Sequence, residues 1–389
     1  MPRRADRPLG PRRLARCVLA LGLVACGAGS ESGPAPTRVT PPRRGDAAVK
    51  EVRELSPAPI VDAEVEAPPV RKDGTIYAES ELMGTRFSIN LWLDPGRDPA
   101  DGGEAVREAI AEVDRIEGLA SEWIAESELS RFNAGAGGSQ VALSPDLFAL
   151  LQRSTVIAAA TSGAFDPTFF AIGDLWSFTP GATPPSQAAI DARLPLVDWR
   201  GIELDAAGRR GRLRDAGMKV GLGAIAKGYA VDRASAVLKG RGFRNHIVEG
   251  GGDTYVSGSK GERAWMVGIQ RPDGPGTVGA LPLADRALVT SGGYQRFFEH
   301  DGKRYAHIID PRTGWPIDEA ESAISVSIVA DDATDADAYC TAVAVMGPKR
   351  GMAFVESEPA LEAVIIERSG EISLSSGLRD QFVPAPTGR

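Results

Sequence analysis

The run Tyr305-Ala306-His307-Ile308-Ile309-Asp310-Pro311-Arg312-Thr313-Gly314-Trp315-Pro316 carries one of only three histidines in 389 residues. His307 ends an apolar strand pattern and stands three residues before an Asp-Pro turn. A core strand has no need of a His, an Asp, a Thr and a Gly crowded where it stops. A turn that aims polar groups at a ligand does. The other two histidines sit differently: His246 opens an apolar strand pattern and reads as structural, and His300 belongs to a polar hairpin turn at 299–303.

Further constellations follow along the chain. Asp337 and Thr341 lie four apart in a helical stretch and so share a face. Their hard oxygens suit Mg²⁺, which keeps water and substrate oxygens in its shell; a solvated Asp and a plain helix Thr would have the same spacing. Residues 221–230, Gly221-Leu222-Gly223-Ala224-Ile225-Ala226-Lys227-Gly228-Tyr229-Ala230, make a small-residue turn that opens a helix. A helix N-terminus carrying Lys227 favours phosphate, although a tight packing turn would look alike. Gly250-Gly251-Gly252-Asp253 would let a planar group or a pyrophosphate lie on the main chain, or serve as an ordinary turn. Gly163-Ala164-Phe165-Asp166-Pro167-Thr168 ends a helix, with Phe165 as a core plug on the simplest reading. Thr290-Ser291-Gly292-Gly293-Tyr294 brings hydroxyls and a glycine pair to a sheet end. No Walker or Rossmann glycine spacing, no zinc-type His/Cys cluster and no Gly-x-Ser-x-Gly elbow occurs.

These residues need elements to hold them. Residues 76–93 read as two strands broken at Met83-Gly84-Thr85, and 103–117 as a helix with an apolar stripe. Ser144-Pro145-Asp146 is a helix start, with a cap followed by Pro. Residues 180–195 are loop-prone, and 225–239 form a helix closed by glycine. Strands are expected at 245–248, 264–270, 287–290, 304–309, 323–329 and 363–367, with a helix at 334–346. The order lacks a βαβ rhythm, so the fold class is α+β with largely antiparallel sheets.

The chain is 43% hydrophobic with a net charge of −8. Removing the first 25 residues, which hold six Arg and one Asp, takes it to −13. So acidic a chain is not a nucleic-acid binder. Those first residues are a basic segment followed by a short apolar run, too short to span a bilayer. The sequence Leu23-Val24-Ala25-Cys26-Gly27 resembles a bacterial lipoprotein signal, in which Cys26 takes the lipid. The expected organisation is a signal peptide at 1–25, a flexible Pro/Gly/Ala-rich tether at 26–73 and one folded domain at 74–389. Only Cys340 would then remain as a free thiol, so no internal disulfide supports the domain.

Taken in order, the motifs at 83–85, 127–133, 163–168, 224–232, 250–253, 290–294, 307–314 and 337–341 resemble the ApbE family of FAD:protein FMN transferases. The resemblance implies Mg²⁺-dependent transfer of FMN from FAD to a Thr or Ser of an acceptor protein, with release of AMP. The acceptor would belong to an exported or membrane redox complex, and the chain would be lipid-anchored and face the periplasm. The matching metal positions are the Ala224 carbonyl, Asp337 and Thr341. Flavin contacts are implied at Met83, Ala164, Phe165, Asp166, Lys227 and Ile309, with Trp123 as a further aromatic candidate. Gly251 and Gly252 would lie along the nucleotide. A histidine suits the task of taking the acceptor hydroxyl's proton, which makes His307 the candidate base. One departure stands out: the family pattern places an Asp where this chain has Gly221. Two alternatives share the same residues, a Mg²⁺-dependent FAD pyrophosphatase and a flavin-binding lipoprotein without catalysis.

Overall fold

An eight-stranded antiparallel sheet organises the protein, as seen in a computed structural model that describes residues 70–292, 297–318 and 322–386. The expected signal peptide, Cys26 and the tether as far as residue 69 lie outside the described residues, as do Gly293 and Tyr294. The strands are Thr75–Leu82, Thr85–Trp92, His246–Gly250, Asp253–Ser257, Arg286–Ser291, Ser325–Ala330, Glu362–Ile366 and Ile372–Leu374. Their order across the sheet is their order along the chain. The sheet is thus a meander, and the helices and small sheets are insertions between neighbouring strands.

Alternation along the strands covers both faces, because successive side chains point to opposite sides. Ala287, Val289, Ile328 and Ile365 enter the main core, whereas Leu288, Val329, Val364 and Ile366 enter a second one. The main core is roofed by the helices Pro99–Ala120, Pro145–Ala160, Ala226–Gly240 and Ala333–Met346. The second is closed by the strand pair Trp265–Gln270 and Thr277–Leu283. The Ala333–Met346 helix is buried nearly all round, and its run of Ala, Cys and Val lets it lie close to both sheet and helix.

The expected elements are present with shifted ends. Ser144 caps the Pro145–Ala160 helix through the Leu147 amide. Residues 180–195 differ from the expected loop: Ser186 caps a helix at Gln187–Arg193, whose Ile190 is fully buried. That helix joins a third, aromatic core containing Trp176, Phe298 and Ile309, with Phe178, Tyr305 and Trp315 packed against it. The strand before His307 is shorter than expected, Lys303–Ala306, and pairs with Phe297–His300.

Candidate functional site

Lys227 stands at the second position of the Ala226–Gly240 helix, and Asp337 in the middle of the Ala333–Met346 helix. A single glycine lets them meet. A Cβ on Gly228 would lie 2.0 Å from the Ala333 carbonyl oxygen, so only a bare Cα allows this crossing. Asp232 fastens the same crossing by accepting the Ala333 and Thr334 amides at 2.9 and 2.8 Å. Lys227 Nζ consequently donates to both Asp337 oxygens, at 3.2 and 3.1 Å. The Gly228 N–H would meet the Ala224 carbonyl in an uninterrupted helix; it donates instead to Asp337 Oδ2 at 3.2 Å. The Ala224 carbonyl is therefore not claimed by that amide.

A residue that carried no role in the sequence reading completes the cluster. Asp253 Oδ2 lies 3.2 Å from Lys227 Nζ. Asp253 is 2% exposed, and that oxygen has no hydrogen-bond partner among the described residues. Burial pushes the Asp253 carboxyl well above the usual range, with the Asp337 charge adding to the effect and Lys227 opposing it. Burial works against the Lys227 ammonium too, but Asp253 and Asp337 more than offset this and keep it charged. The acid at the end of the Gly250-Gly251-Gly252-Asp253 run was the available signal for this residue, since an acidic side chain just inside a strand start is seldom buried without a partner.

Two tight turns frame the cluster. Met83 and Gly84 both have positive φ, 53° and 69°, between the paired residues Leu82 and Thr85. Gly251 and Gly252 repeat the arrangement at 60° and 99°, between Gly250 and Asp253. These are two-residue hairpins of the kind that fits strand twist. The turns touch, since a Cβ on Gly251 would lie 2.7 Å from Thr85 Oγ1. Met83 is held in its left-handed conformation by Glu117, which accepts its amide at 2.7 Å. Thr341 follows Asp337 by one helical turn, and its neighbour Cys340 receives the Ser291 amide at 3.2 Å, which fixes this part of the helix against the sheet end.

The loop before Lys227 is tied down from two sides. Asn133, the last residue of the 127–133 motif, pairs with both the N–H and the C=O of Val220 at 2.8 Å. Pro167 accepts the Gly221 amide at 2.8 Å. A side chain at 221 would meet the Phe170 Cβ at 3.0 Å and the Phe169 ring at 3.2 Å, so an Asp there would need both phenylalanines to give by a few tenths of an ångström. A carboxyl reaches the loop from elsewhere: a Cβ on Gly223 would lie 3.3 Å from Glu122 Oε1. Burial raises the Glu122 carboxyl, against the pull of its own and the Leu222 amides.

Ala164 and Phe165 are buried in the main core. Asp166 Oδ1 accepts the Thr168 amide and hydroxyl at 2.8 and 2.6 Å, and Oδ2 accepts the Trp199 amide at 3.1 Å. Both oxygens thus shape the loop itself. Trp123 is 75% exposed and packs edge-on against Phe170, with centroids 5.5 Å apart.

His307 is carried by a different support. It follows the Lys303–Ala306 strand, with its ring edge-on to Phe178 at 6.4 Å. Ile308 enters the main core and Ile309 the aromatic one, where it bridges Pro316. Asp310 closes the turn by accepting the Arg312 amide at 2.9 Å and its guanidinium at 2.8 and 2.7 Å. A cavity lined by Gly163, Asp166, Trp199, Arg200, Pro311 and Arg312 brings this turn beside the 163–168 motif. The structure therefore gathers Lys227, Asp337 and Asp253 in direct contact, whereas His307 stands beside Phe178 on the aromatic support, and it is Pro311 and Arg312 of its turn that border the 163–168 loop.

The donors around Lys227 suit a hard cation. Two carboxylates, a hydroxyl one turn away and an unclaimed carbonyl are all oxygens, and one buried carboxylate oxygen lacks a partner. Among the described residues there is no group of three or more His, Cys, Asp or Glu placed to hold a metal ion.

The sequence model of the ApbE family matches residues 83–365. The chain belongs to the ApbE family. An FAD:protein FMN transferase of Treponema pallidum (strain Nichols) is 35% identical over 325 residues, covering 78% of this chain and 88% of that protein. One from Klebsiella pneumoniae (strain 342) is 30% identical over 321 residues, covering 81% and 97%. The crystal structure of the ApbE protein from Thermotoga maritima superposes with a TM-score of 0.72 at 30% identity, covering 79% of this chain and 99% of that one. The flavin transferase ApbE from Vibrio cholerae gives a TM-score of 0.70 at 28% identity, again covering 79% and 99%. The ApbE match spans the Met83 turn, the Lys227 loop, Asp253, His307 and the Asp337 helix together.

Proposed function

We propose that this chain is an FAD:protein FMN transferase, which moves FMN from FAD to a Thr or Ser hydroxyl of an acceptor protein and releases AMP. The observation that carries the reading is the meeting of Lys227 with Asp337 at the mouth of a glycine-lined sheet end, within an ApbE family match across residues 83–365. The Ala224 carbonyl, Asp337 and Thr341 would hold Mg²⁺. When bound, Mg²⁺ neutralises charge on the pyrophosphate and acts as a Lewis acid. Lys227 adds a point charge beside the phosphates. Met83, Trp123, Ala164, Phe165, Asp166, Lys227 and Ile309 would bound the flavin, and Gly251 and Gly252 would let the nucleotide approach the main chain. His307 takes the proton of the acceptor hydroxyl as its oxygen bonds to the FMN-side phosphorus. The bond from that phosphorus to the bridging oxygen breaks, and AMP leaves with the electron pair.

The chain would work at the cell envelope, anchored by a lipid on Cys26 and facing the periplasm, on a subunit of an exported or membrane redox complex. Mass spectrometry of a candidate acceptor after incubation with the enzyme, FAD and Mg²⁺ tests the activity. An FMN mass on Thr or Ser supports transfer; AMP and free FMN formed rapidly with no acceptor would assign the site to hydrolysis instead. Cys26→Ser should move the protein from the membrane to the soluble fraction, and retention at the membrane would refute the anchor.

A further inference from the structure

Four oxygens from three separate segments converge on the Lys227 ammonium: Asp253 Oδ2 at 3.2 Å, Asp337 Oδ1 and Oδ2 at 3.2 and 3.1 Å, and the Gly223 carbonyl at 3.5 Å. This is the donor set of a cation site with a lysine in it. The fit is incomplete on one side. Nζ donates hydrogen bonds to Asp337 but meets buried Asp253 Oδ2 only as an ion pair at 3.2 Å, without hydrogen-bond alignment. A buried carboxylate oxygen in that position is unfavourable unless something else takes its lone pair. We infer that the Lys227 ammonium and a divalent cation compete for the Asp253–Asp337 pair, and that Asp253 is a cation ligand held by Lys227 until the metal arrives. This rests on the Mg²⁺-dependent transfer reading above.

The argument is steric and electrostatic. Mg²⁺ binds oxygen at about 2.0–2.1 Å. An ion at that distance from these carboxylates sets a double positive charge beside an ammonium that is itself 3.1–3.2 Å from the same oxygens, and the two cations repel. Lys227 has a four-carbon stem and a quarter of its side chain reaches solvent, so Nζ has somewhere to go. Once displaced it is free to meet phosphate oxygens. The cluster would then order the reaction, with the metal first and the lysine–phosphate contact following from it.

The test uses the full chain without flavin, titrated calorimetrically with Mg²⁺ alone and with Mn²⁺ alone. Lys227→Met keeps the stem and removes the competitor, so it should tighten cation binding about ten-fold or more. Asp253→Asn should weaken it by a similar factor. A second readout needs no variant: acetylation of Lys227 in the wild type, mapped by mass spectrometry against the exposed Lys349. Labelling of Lys227 should rise several-fold at saturating Mg²⁺. Binding by the wild type that Lys227→Met leaves within two-fold or weakens, or labelling that stays level or falls, would overturn the competition and leave the transferase reading intact. No cation binding by the wild type at millimolar concentrations would remove the metal from the proposed function, and this inference with it.

Discussion

Gly228→Ala is the sharpest probe of how the site is built, because the structure reverses its usual sign. In a helix interior Ala is more stable than Gly by ~0.8–1.0 kcal/mol. Here the new methyl would sit 2.0 Å from the Ala333 oxygen and 2.5 Å from its carbon, both backbone atoms of the partner helix. To reach an ordinary contact of 3.4 Å the helices must separate by about 1.4 Å at that point. Overpacking of this kind costs about 1–3 kcal/mol, so the intrinsic gain is overwhelmed. The same displacement stretches the Lys227–Asp337 contacts, now 3.1–3.2 Å, beyond hydrogen-bond reach. Gly118 supplies the control: it lies within the Pro99–Ala120 helix, is exposed, and has nothing within 4 Å of its would-be Cβ. Urea unfolding should show Gly118→Ala stabilised by up to ~1 kcal/mol and Gly228→Ala destabilised by about 1–3 kcal/mol. Gly228→Ala should also lose most FMN transfer. A Gly228→Ala protein as stable and active as the wild type would refute the claim that this crossing sets the site.

Three further outcomes follow from the same geometry. His307→Gln should keep FAD binding, measured by flavin fluorescence, while transfer falls about 10²–10⁴-fold; full activity would rule out His307 as the base. Asn133→Ala leaves the N–H and C=O of Val220 unpaired, each now bonded at 2.8 Å, and should cost about 1–3 kcal/mol and raise the KM for FAD, with unchanged stability and KM as the refuting result. His246 is fully buried between Ser235 Oγ at 2.8 Å and the Phe243 carbonyl at 3.1 Å, and burial, with help from Lys239, lowers its pKa from 6.5 to about 4. The unfolded chain takes up a proton that the fold refuses, so the His246 contribution is fully present above pH 6.5 and falls by about 3 kcal/mol as pH drops toward 4; buried Asp232, raised to about 6, works in the opposite direction, so the readout is the difference between two proteins: in urea unfolding the wild type should lose about 3 kcal/mol relative to His246→Phe across that range, and a constant difference would refute it.

The sequence made the local elements legible because their signals are local. Ser144-Pro145 marks a helix start through a cap and a preset φ, and both are found. Met83-Gly84 marks a break between strands, and the turn there has both residues at positive φ. The 187–193 helix was hidden because its surroundings are rich in Pro and Gly, while the residue that fixes it, Ile190, is buried only by tertiary contact with the aromatic core. Phe165 and Asp166 fall on either side of the same limit. Phe165 was read from its type as a core plug and is one, while the backbone contacts that hold Asp166 come from a segment far away in the chain, here the Trp199 amide, which no local pattern announces.

Asp253 shows why a site can be half visible. That Asp337 and Thr341, the proposed metal pair, share a face was readable because a helix fixes the relation of residues four apart. No such rule connects Asp253 with Asp337, which are 84 positions apart and meet only because the Asp253–Ser257 and Arg286–Ser291 strands are paired beneath the Ala333–Met346 helix. The glycines were the indirect sign. Gly228 permits the helix crossing and Gly251-Gly252 the turn that starts the Asp253 strand, so each marks a place where backbone had to come close. Read as spacers for a ligand, they pointed to this same region; read as permissions for backbone contact, they also account for how two carboxylates and a lysine are brought into one place. The charge cluster is then a product of the packing, since the same small residues that make the core close also bring the Asp253 and Asp337 segments to Lys227.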